Sequence, residues 1–272
     1  MSNRALGTDQ SMPAYEFGKN WAQFVKSSYS EERLKISVDH LLSFLRVDSL
    51  EGRTFIDVGC GSGIHSLAAH RAGAKSIVSL DVDQDSVATT RALWKQEGRP
   101  DSWQVMEGSA LDAGFLSTLE PADVLYSWGV LHHTGDMWQA LRNVTTLMKP
   151  GGVFYTALYT TTHKTPYWLR VKRRYNNAGR WGRYWMELRF LVRHQILMDL
   201  VHRRNTYKFI RNYKKSRGME FMTNVRDWLG GYPYEDCSPD EFVDFAYNEL
   251  QLNLVRITTG EACSEYLLER RP

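Results

Sequence analysis

Within the run FIDVGCGSGIHS, Asp57 closes a short apolar segment, and Gly59, Gly61 and Gly63 alternate through the turn behind it. Three alternate positions without side chains let the backbone approach a ligand closely. Dinucleotide sites use a related turn to hold a pyrophosphate, but two features point elsewhere here. Gly63 follows Gly61 by two residues instead of three, and Asp57 would repel a pyrophosphate while attracting an ammonium group. Eighteen residues beyond Gly63, Asp81 ends a second apolar run, where a carboxylate can accept from both hydroxyls of a ribose. These residues predict a ligand that is a nucleoside bearing a cationic amino acid. His132 and His133 follow a later apolar run, and histidine is suited to take a proton from a hydroxyl near neutral pH. A base is expected in this pair, the alternative being that the two cap the next helix or line the cleft. Asp136 reads as a helix cap.

The elements that must hold these groups alternate along the chain. Residues 1–14 read as a tail, and from Ser30 the positions Leu34, Val38, Leu41, Leu42 and Leu45 recur at helical spacing. TFIDV (54–58), SIVSL (76–80), SWQVM (102–106), ADVLYSW (122–128) and GGVFYTALY (151–159) read as strands. Between the last two, Met137, Ala140, Leu141, Val144, Leu147 and Met148 form one helical stripe, which Lys149-Pro150-Gly151-Gly152 is expected to end. Ser238-Pro239-Asp240-Glu241 is a capping box that opens a last helix, and LNLVRIT and CSEYLLER close the chain as strands. The pattern predicts an α/β fold with a mostly parallel sheet covered on both faces, its ligands beyond the carboxyl ends of the strands.

DVGCGSG, the Asp81 strand end, EGSALD, SWGVLHHTGD and LMKPGGVFY, in this order, resemble class I S-adenosylmethionine-dependent methyltransferases over roughly residues 52–160. Within that family the chain is similar to the ubiquinone-biosynthesis-like small-molecule methylases. The resemblance implies a Rossmann-like sheet with an antiparallel C-terminal strand and S-adenosyl-L-methionine as cofactor. Carried across, Asp57, Gly59, Gly61 and Gly63 would hold the methionine part, Asp81 the ribose, and Ser109 with Ala110 the adenine edge. Ser109 stands where the family often has Asp, which leaves Asp112 as a substitute. His133 falls on a recurrent histidine of the group and His132 on a variable position. The FGKNW segment is expected to close over the cofactor, with Trp21 as a flat cover or as part of the core.

The organisation that follows is an N-terminal tail and helical lid (1–50), a cofactor-binding core (51–160 and 237–272) and a helical substrate cap (161–236). The formal charge is +3 in total, but residues 161–220 hold 16 Lys and Arg against Glu187, Asp199 and Glu220, which makes that segment +13 and the remainder −10. Ten aromatics interleave with those cations, a mixture that suits phosphate, carboxylate, nucleic acid or a membrane surface. Leu188, Leu191, Val192, Gln195, Ile196 and Met198 form a mainly apolar stripe there, for which packing on the core is the ordinary outcome and a partner or a lipid surface the alternatives. Arginines from this segment, with Tyr232 or Tyr234, are expected to face the acceptor beside the two histidines.

No Asn/Asp-Pro-Pro-Tyr run or Pro-Cys pair follows the fourth strand, which lowers the case for nucleic-acid bases. No paired glutamates or Asp-Asn cluster suggests arginine or catechol acceptors, and no metal is expected. The favoured activity is methyl transfer to a hydroxyl of a small acceptor, a phenol, quinone precursor or glycan-like molecule. RNA recruited through the basic segment, or a non-catalytic cofactor-binding protein, are the other readings. Three cysteines without CxxC spacing, no apolar signal core at the start and no run of about 18 apolar residues predict a cytoplasmic protein with reduced thiols. The pattern does not specify an oligomeric state.

Overall fold

The computed structural model of the chain describes residues 31–203, 205, 206, 208, 209, 221–260 and 262–271. Helix α1 (Glu31–Leu45) leads into β1 (Thr54–Val58), α2 (Ile64–Arg71), β2 (Ser76–Asp81), α3 (Gln84–Gln96) and β3 (Trp103–Glu107). A short α4 (Ala113–Leu116) precedes β4 (Ala122–Trp128), a 3-10 turn (Leu131–His133), α5 (Met137–Thr145) and β5 (Met148–Tyr159). The sheet has seven strands in the order β3-β2-β1-β4-β5-β7-β6, in which β6 (Leu252–Thr259) and β7 (Cys263–Arg270) follow α10 (Pro239–Asn248). Pairs among β1 to β5 are parallel, and β7 runs antiparallel to both β5 and β6. The expected α/β, mostly parallel, Rossmann-like sheet with an antiparallel C-terminal strand is the architecture observed.

The central strands β1, β4 and β5 are buried on both faces, so each side has its own apolar core. Phe55, Val124 and Tyr155 pack against α1 and α2 on one side, joined by Leu34, Leu41 and Leu67. On the other side Ile56, Leu125 and Phe154 meet Leu141 and Val144 of α5 and Phe242 of α10. The capping box works as its spacing suggests: Ser238 accepts a hydrogen bond from the Glu241 amide at 3.3 Å, with Pro239 at the first helical position. One boundary differs from expectation. Helix α5 stops at Thr145, and Met148 already lies in β5 opposite Ala122, because strand pairing claims its backbone before proline and glycine can end a helix.

The insert leaves and rejoins the sheet at one point. Thr160 and Cys237 form a parallel bridge, the Cys237 amide donates to the Tyr159 carbonyl at 3.1 Å, and the Thr161 amide donates to the Cys237 carbonyl at 3.0 Å. Between them lie α6 (Thr165–Asn176), α7 (Arg180–Phe190), a π-helical stretch (Leu191–Ile196), α8 (Leu197–Val201) and α9 (Phe221–Gly230). Among the described residues their own core is small: Tyr175, Phe221, Val225 and Leu229 are its buried apolar members. The stripe expected to pack inward does not do so as a whole, since Val192, Ile196 and Met198 are exposed.

Candidate active site

The carboxyl ends of β1 and β2 carry two acidic groups. Asp57 is buried and ends a relay of hydroxyls: Trp103 Nε1 donates to Ser79 Oγ at 2.8 Å, Ser79 to Ser66 Oγ at 2.6 Å, and Ser66 to Asp57 Oδ2 at 2.5 Å. The relay follows from parallel register, which sets Asp57 beside Ser79, while Ser66 sits in the first turns of α2. Burial nevertheless pushes the Asp57 carboxyl up to about 7; the Ser66 bond opposes this, and the nearby Asp81 adds to it. None of the described cations pairs with Asp57, so the group is a buried acid that a ligand ammonium would satisfy. Asp81 accepts from the Gly61 amide at 2.9 Å through Oδ2 and from the Asp83 amide at 2.9 Å through Oδ1, and burial raises its pKa as well.

The glycine turn between them is shaped for close approach. Gly59 has φ +78°, and a Cβ there would stand 2.3 Å from Val130 Cγ1; at Gly63, φ is +77° and a Cβ would stand 2.8 Å from Thr90 Oγ1. Gly61 likewise has a positive φ. A side chain at Gly59 or Gly63 would therefore meet both strain and a clash. This acidic, glycine-floored cradle fits a cationic amino acid and would oppose a pyrophosphate.

Beyond β3, Ser109 Oγ accepts from the Leu111 amide at 3.1 Å, and Asn143 Nδ2 donates to the Ala110 carbonyl at 3.1 Å. Asp112 caps α4 through the Phe115 amide at 2.9 Å, so its carboxylate is engaged in the fold and is a weaker substitute for the acid that Ser109 replaces. Sequence reasoning passed over Val82 and Leu111, two exposed apolar side chains beside Asp81 and Ala110. Their signal was positional: each directly follows an expected contact residue.

The histidines lie in the 3-10 turn after β4, with different duties. His132 is buried, and its Nδ1 accepts from the Tyr159 amide at 3.2 Å, which places its proton on Nε2. Burial, then the charges of His133 and Lys172, hold it well below the ordinary histidine range. The Nδ1–H of His133 donates to the Pro233 carbonyl at 2.6 Å, which leaves the basic lone pair on Nε2. Its pKa is pushed down to about 3, by burial first and Lys172 second. Asp136 is the helix cap it was read to be, accepting from the Gln139 amide at 3.1 Å. Glu235, near the end of the insert, accepts from the amides of Gly135 and Met137 at 3.0 and 3.1 Å and so fastens the turn.

The insert meets the histidines with a lysine where arginine was expected. Lys172 of α6 is fully buried and donates to the Trp228 carbonyl. Its ammonium lies 4.7, 5.1 and 5.7 Å from the ring centres of Trp228, Tyr234 and Tyr159. Burial pushes it down to about 7. Tyr234 is thus at the site as expected, its ring 5.0 Å from that of Tyr159, whose ring in turn stands 3.8 Å from that of His132. Arg170, Arg174, Arg189 and Arg193 instead line a groove of about 690 Å³ between α6 and α7. Two further groups were not singled out in the sequence: His65 Nδ1 and Tyr126 OH are buried without a hydrogen-bond partner, and the Asp57 charge is felt at Tyr126. Trp21 lies outside the described residues.

Residues 56–154 match the family model for a methyltransferase domain. A ribosomal protein L11 methyltransferase of Pasteurella multocida is 34% identical over 41% of this chain and 36% of its own length. A ubiquinone biosynthesis O-methyltransferase of Paramagnetospirillum magneticum is 34% identical over 42% of this chain and 43% of its own. The chain therefore spans less than half of these curated relatives. Among solved structures, the magnesium protoporphyrin IX methyltransferase of Synechocystis superposes with a TM-score of 0.55 over 93% of each chain at 12% identity, a likeness of fold.

Proposed function

The chain carries a class I S-adenosylmethionine-dependent methyltransferase domain, and from that premise we propose that it transfers a methyl group to a hydroxyl of a small, phenolic or anionic acceptor. The observation that carries this reading is the buried Asp57 carboxyl, raised to about 7 at the floor of the glycine turn with no cation of the described residues paired to it. When bound, S-adenosylmethionine supplies a methyl group already activated by a sulfonium. Asp57 would hold its ammonium, Gly59, Gly61 and Gly63 its backbone, and Asp81 its ribose. Ser109 and Ala110 would lie at the adenine edge, with Val82 and Leu111 as apolar covers.

The residues near the acceptor have separate tasks. His133, neutral and fixed through Nδ1, would accept the hydroxyl proton or its hydrogen bond at Nε2. A base held down to about 3 is weak, so its first role is orientation, and an acceptor anion that offsets the Lys172 charge would raise its basicity. Lys172 would supply that electrostatic partner for a phenolate or carboxylate. His132, bonded to the β5 backbone, positions the strand end. Tyr159, Trp228 and Tyr234 exclude water from the same space. Three cysteines without a disulfide among them fit a reducing, cytoplasmic setting.

The test is calorimetry with S-adenosylmethionine and with its demethylated product, followed by methyl transfer to a panel of phenols and hydroxy acids. Binding that Asp81→Ala abolishes, with turnover on a hydroxyl acceptor, is expected. No binding of either compound, with Asp81→Ala indistinguishable from the parent, would remove the reading.

A further inference from the structure

Helix α7, the π-helical stretch and α8 run continuously from Arg180 to Val201, and their outward side is not that of an ordinary surface helix. Trp181, Tyr184 and Trp185 in α7, and Val192, Ile196 and Leu200 four residues apart beyond it, are exposed; Trp181 is 80% accessible, Trp185 63% and Leu200 73%. Single exposed apolar residues are common, but a row of six with two tryptophans marks a contact surface. Trp185 also lines the groove of about 690 Å³, where Arg170, Arg174, Arg189 and Arg193 face the aromatic walls of Trp168 and Phe190. Among the described residues no carboxylate lines that groove. The acids of the segment are turned away: Glu187 is buried against Tyr175 and Arg226, and Asp199 is buried against Gln195. His194, in the groove wall, is lowered by burial and then by the charges of Arg193, Lys164 and Arg189, so the described lining of the groove is positive.

We propose that this face of the insert docks on an anionic lipid surface, with Trp181, Trp185 and Leu200 entering the headgroup boundary and the groove arginines taking lipid phosphates. Charge complementarity selects the occupant. A second copy meeting the same face would set arginine against arginine. The segments 1–30 and 204–220 of this chain are themselves net basic, at +1 and +5, and do not complement it. A nucleic acid would use the arginines and stack on the rings, but Val192, Ile196 and Leu200 offer nothing to a sugar-phosphate chain. Aliphatic row, tryptophans and flanking arginines together are the composition of a helix lying in an interface. No helix among the described residues is long and apolar enough to cross a membrane, so the contact is peripheral.

The experiment is cosedimentation of the full chain with vesicles of phosphatidylcholine alone or containing phosphatidylglycerol, at low and high salt. Binding to the anionic vesicles alone is expected, weakened by salt and independent of S-adenosylmethionine. Arg189→Gln with Arg193→Gln should lower the partition about 20-fold, near fivefold for each charge removed. Trp181→Ser with Trp185→Ser should lower it by about tenfold or more through lost insertion. Both pairs are on the surface, and unchanged melting temperatures would show that they fold. The proposal is overturned if anionic vesicles do not bind, or if the tryptophan pair leaves binding unchanged. It is equally overturned if the parent is a dimer that the tryptophan pair splits, or if the arginine pair weakens binding of a polynucleotide but not of vesicles.

Discussion

The sheet and the insert treat their large apolar side chains in opposite ways. Phe55, Tyr126, Phe154 and Tyr155 of the strands are almost wholly buried, whereas Trp181, Tyr184 and Trp185 of α7 stand in solvent. Charge differs as well: the strand ends gather Asp57 and Asp81, and the insert gathers arginines. A doubly covered sheet has no freedom in where its side chains point, so each strand residue answers to packing first. Among the described residues the apolar core of the insert has four buried members, and Trp181, Tyr184 and Trp185 are left outside it. Lys172 joins the two, an insert residue buried between Trp228 and Tyr234 of the insert and Tyr159 of β5.

Glycine substitution should separate the regions most sharply. Gly59→Ala sets a Cβ 2.3 Å from Val130 at a positive φ and should cost about 3 kcal/mol of stability, with a loss of S-adenosylmethionine affinity of about 100-fold or more. Gly179→Ala, at the start of α7 with nothing within 4 Å, should shift stability by less than about 1 kcal/mol. Equal effects in thermal melts would erase the contrast.

The next effect is one of pH. Asp57 is ionised above about 7 and protonated below, and only the ionised form attracts an ammonium. Affinity for S-adenosylmethionine should therefore fall about tenfold for each pH unit below 7. Asp57→Asn should flatten that profile at the weak level. In the ligand-free chain the same carboxyl acts oppositely on the fold: it holds its proton more tightly folded than unfolded. Its contribution to stability is thus full below the ordinary aspartate range and is lost as pH rises through about 7.

Lys172→Met tests the joint. The buried cation holds both histidines down, so its removal should move the His133 titration upward, read by NMR of the imidazole carbons. Stability should change by no more than about 2 kcal/mol, since an apolar side chain of similar length replaces a desolvated charge. The smallest effect belongs inside the insert: Tyr175→Phe removes a 2.7 Å hydrogen bond to Glu187, which keeps Arg226, and should cost about 1 kcal/mol without altering cofactor affinity.

The acidic cradle was legible in the sequence because strand, turn and helix supply it locally, with Asp57, the glycines and Asp81 each marked by position. Asp136 and Ser238 were legible for the same reason, as caps that bond three residues ahead. Helix α5 was overextended because Leu147 and Met148 continue its stripe, and only pairing with β4 shows that Met148 belongs to a strand. Lys172 could not be singled out: in VKRR it is one cation among neighbours. Its burial comes from Trp228 and Tyr234, more than fifty residues away. The histidines stand after β4 where the sequence puts them, and their low basicity arises first from burial and then in part from that same distant lysine.

The bridge between Thr160 and Cys237 has a consequence for how such a chain can change. Because the excursion starts and finishes at neighbouring backbone positions, the closure cost of its length grows only with the logarithm of the residue number, and its contacts with the sheet are confined to points such as Glu235, Pro233 and Lys172. Shortening, enlarging or exchanging the whole excursion leaves every strand register of the sheet as it is. A graft between those two residues is thus the natural unit for redirecting the protein to another acceptor, the donor segment bringing its own replacement for Lys172.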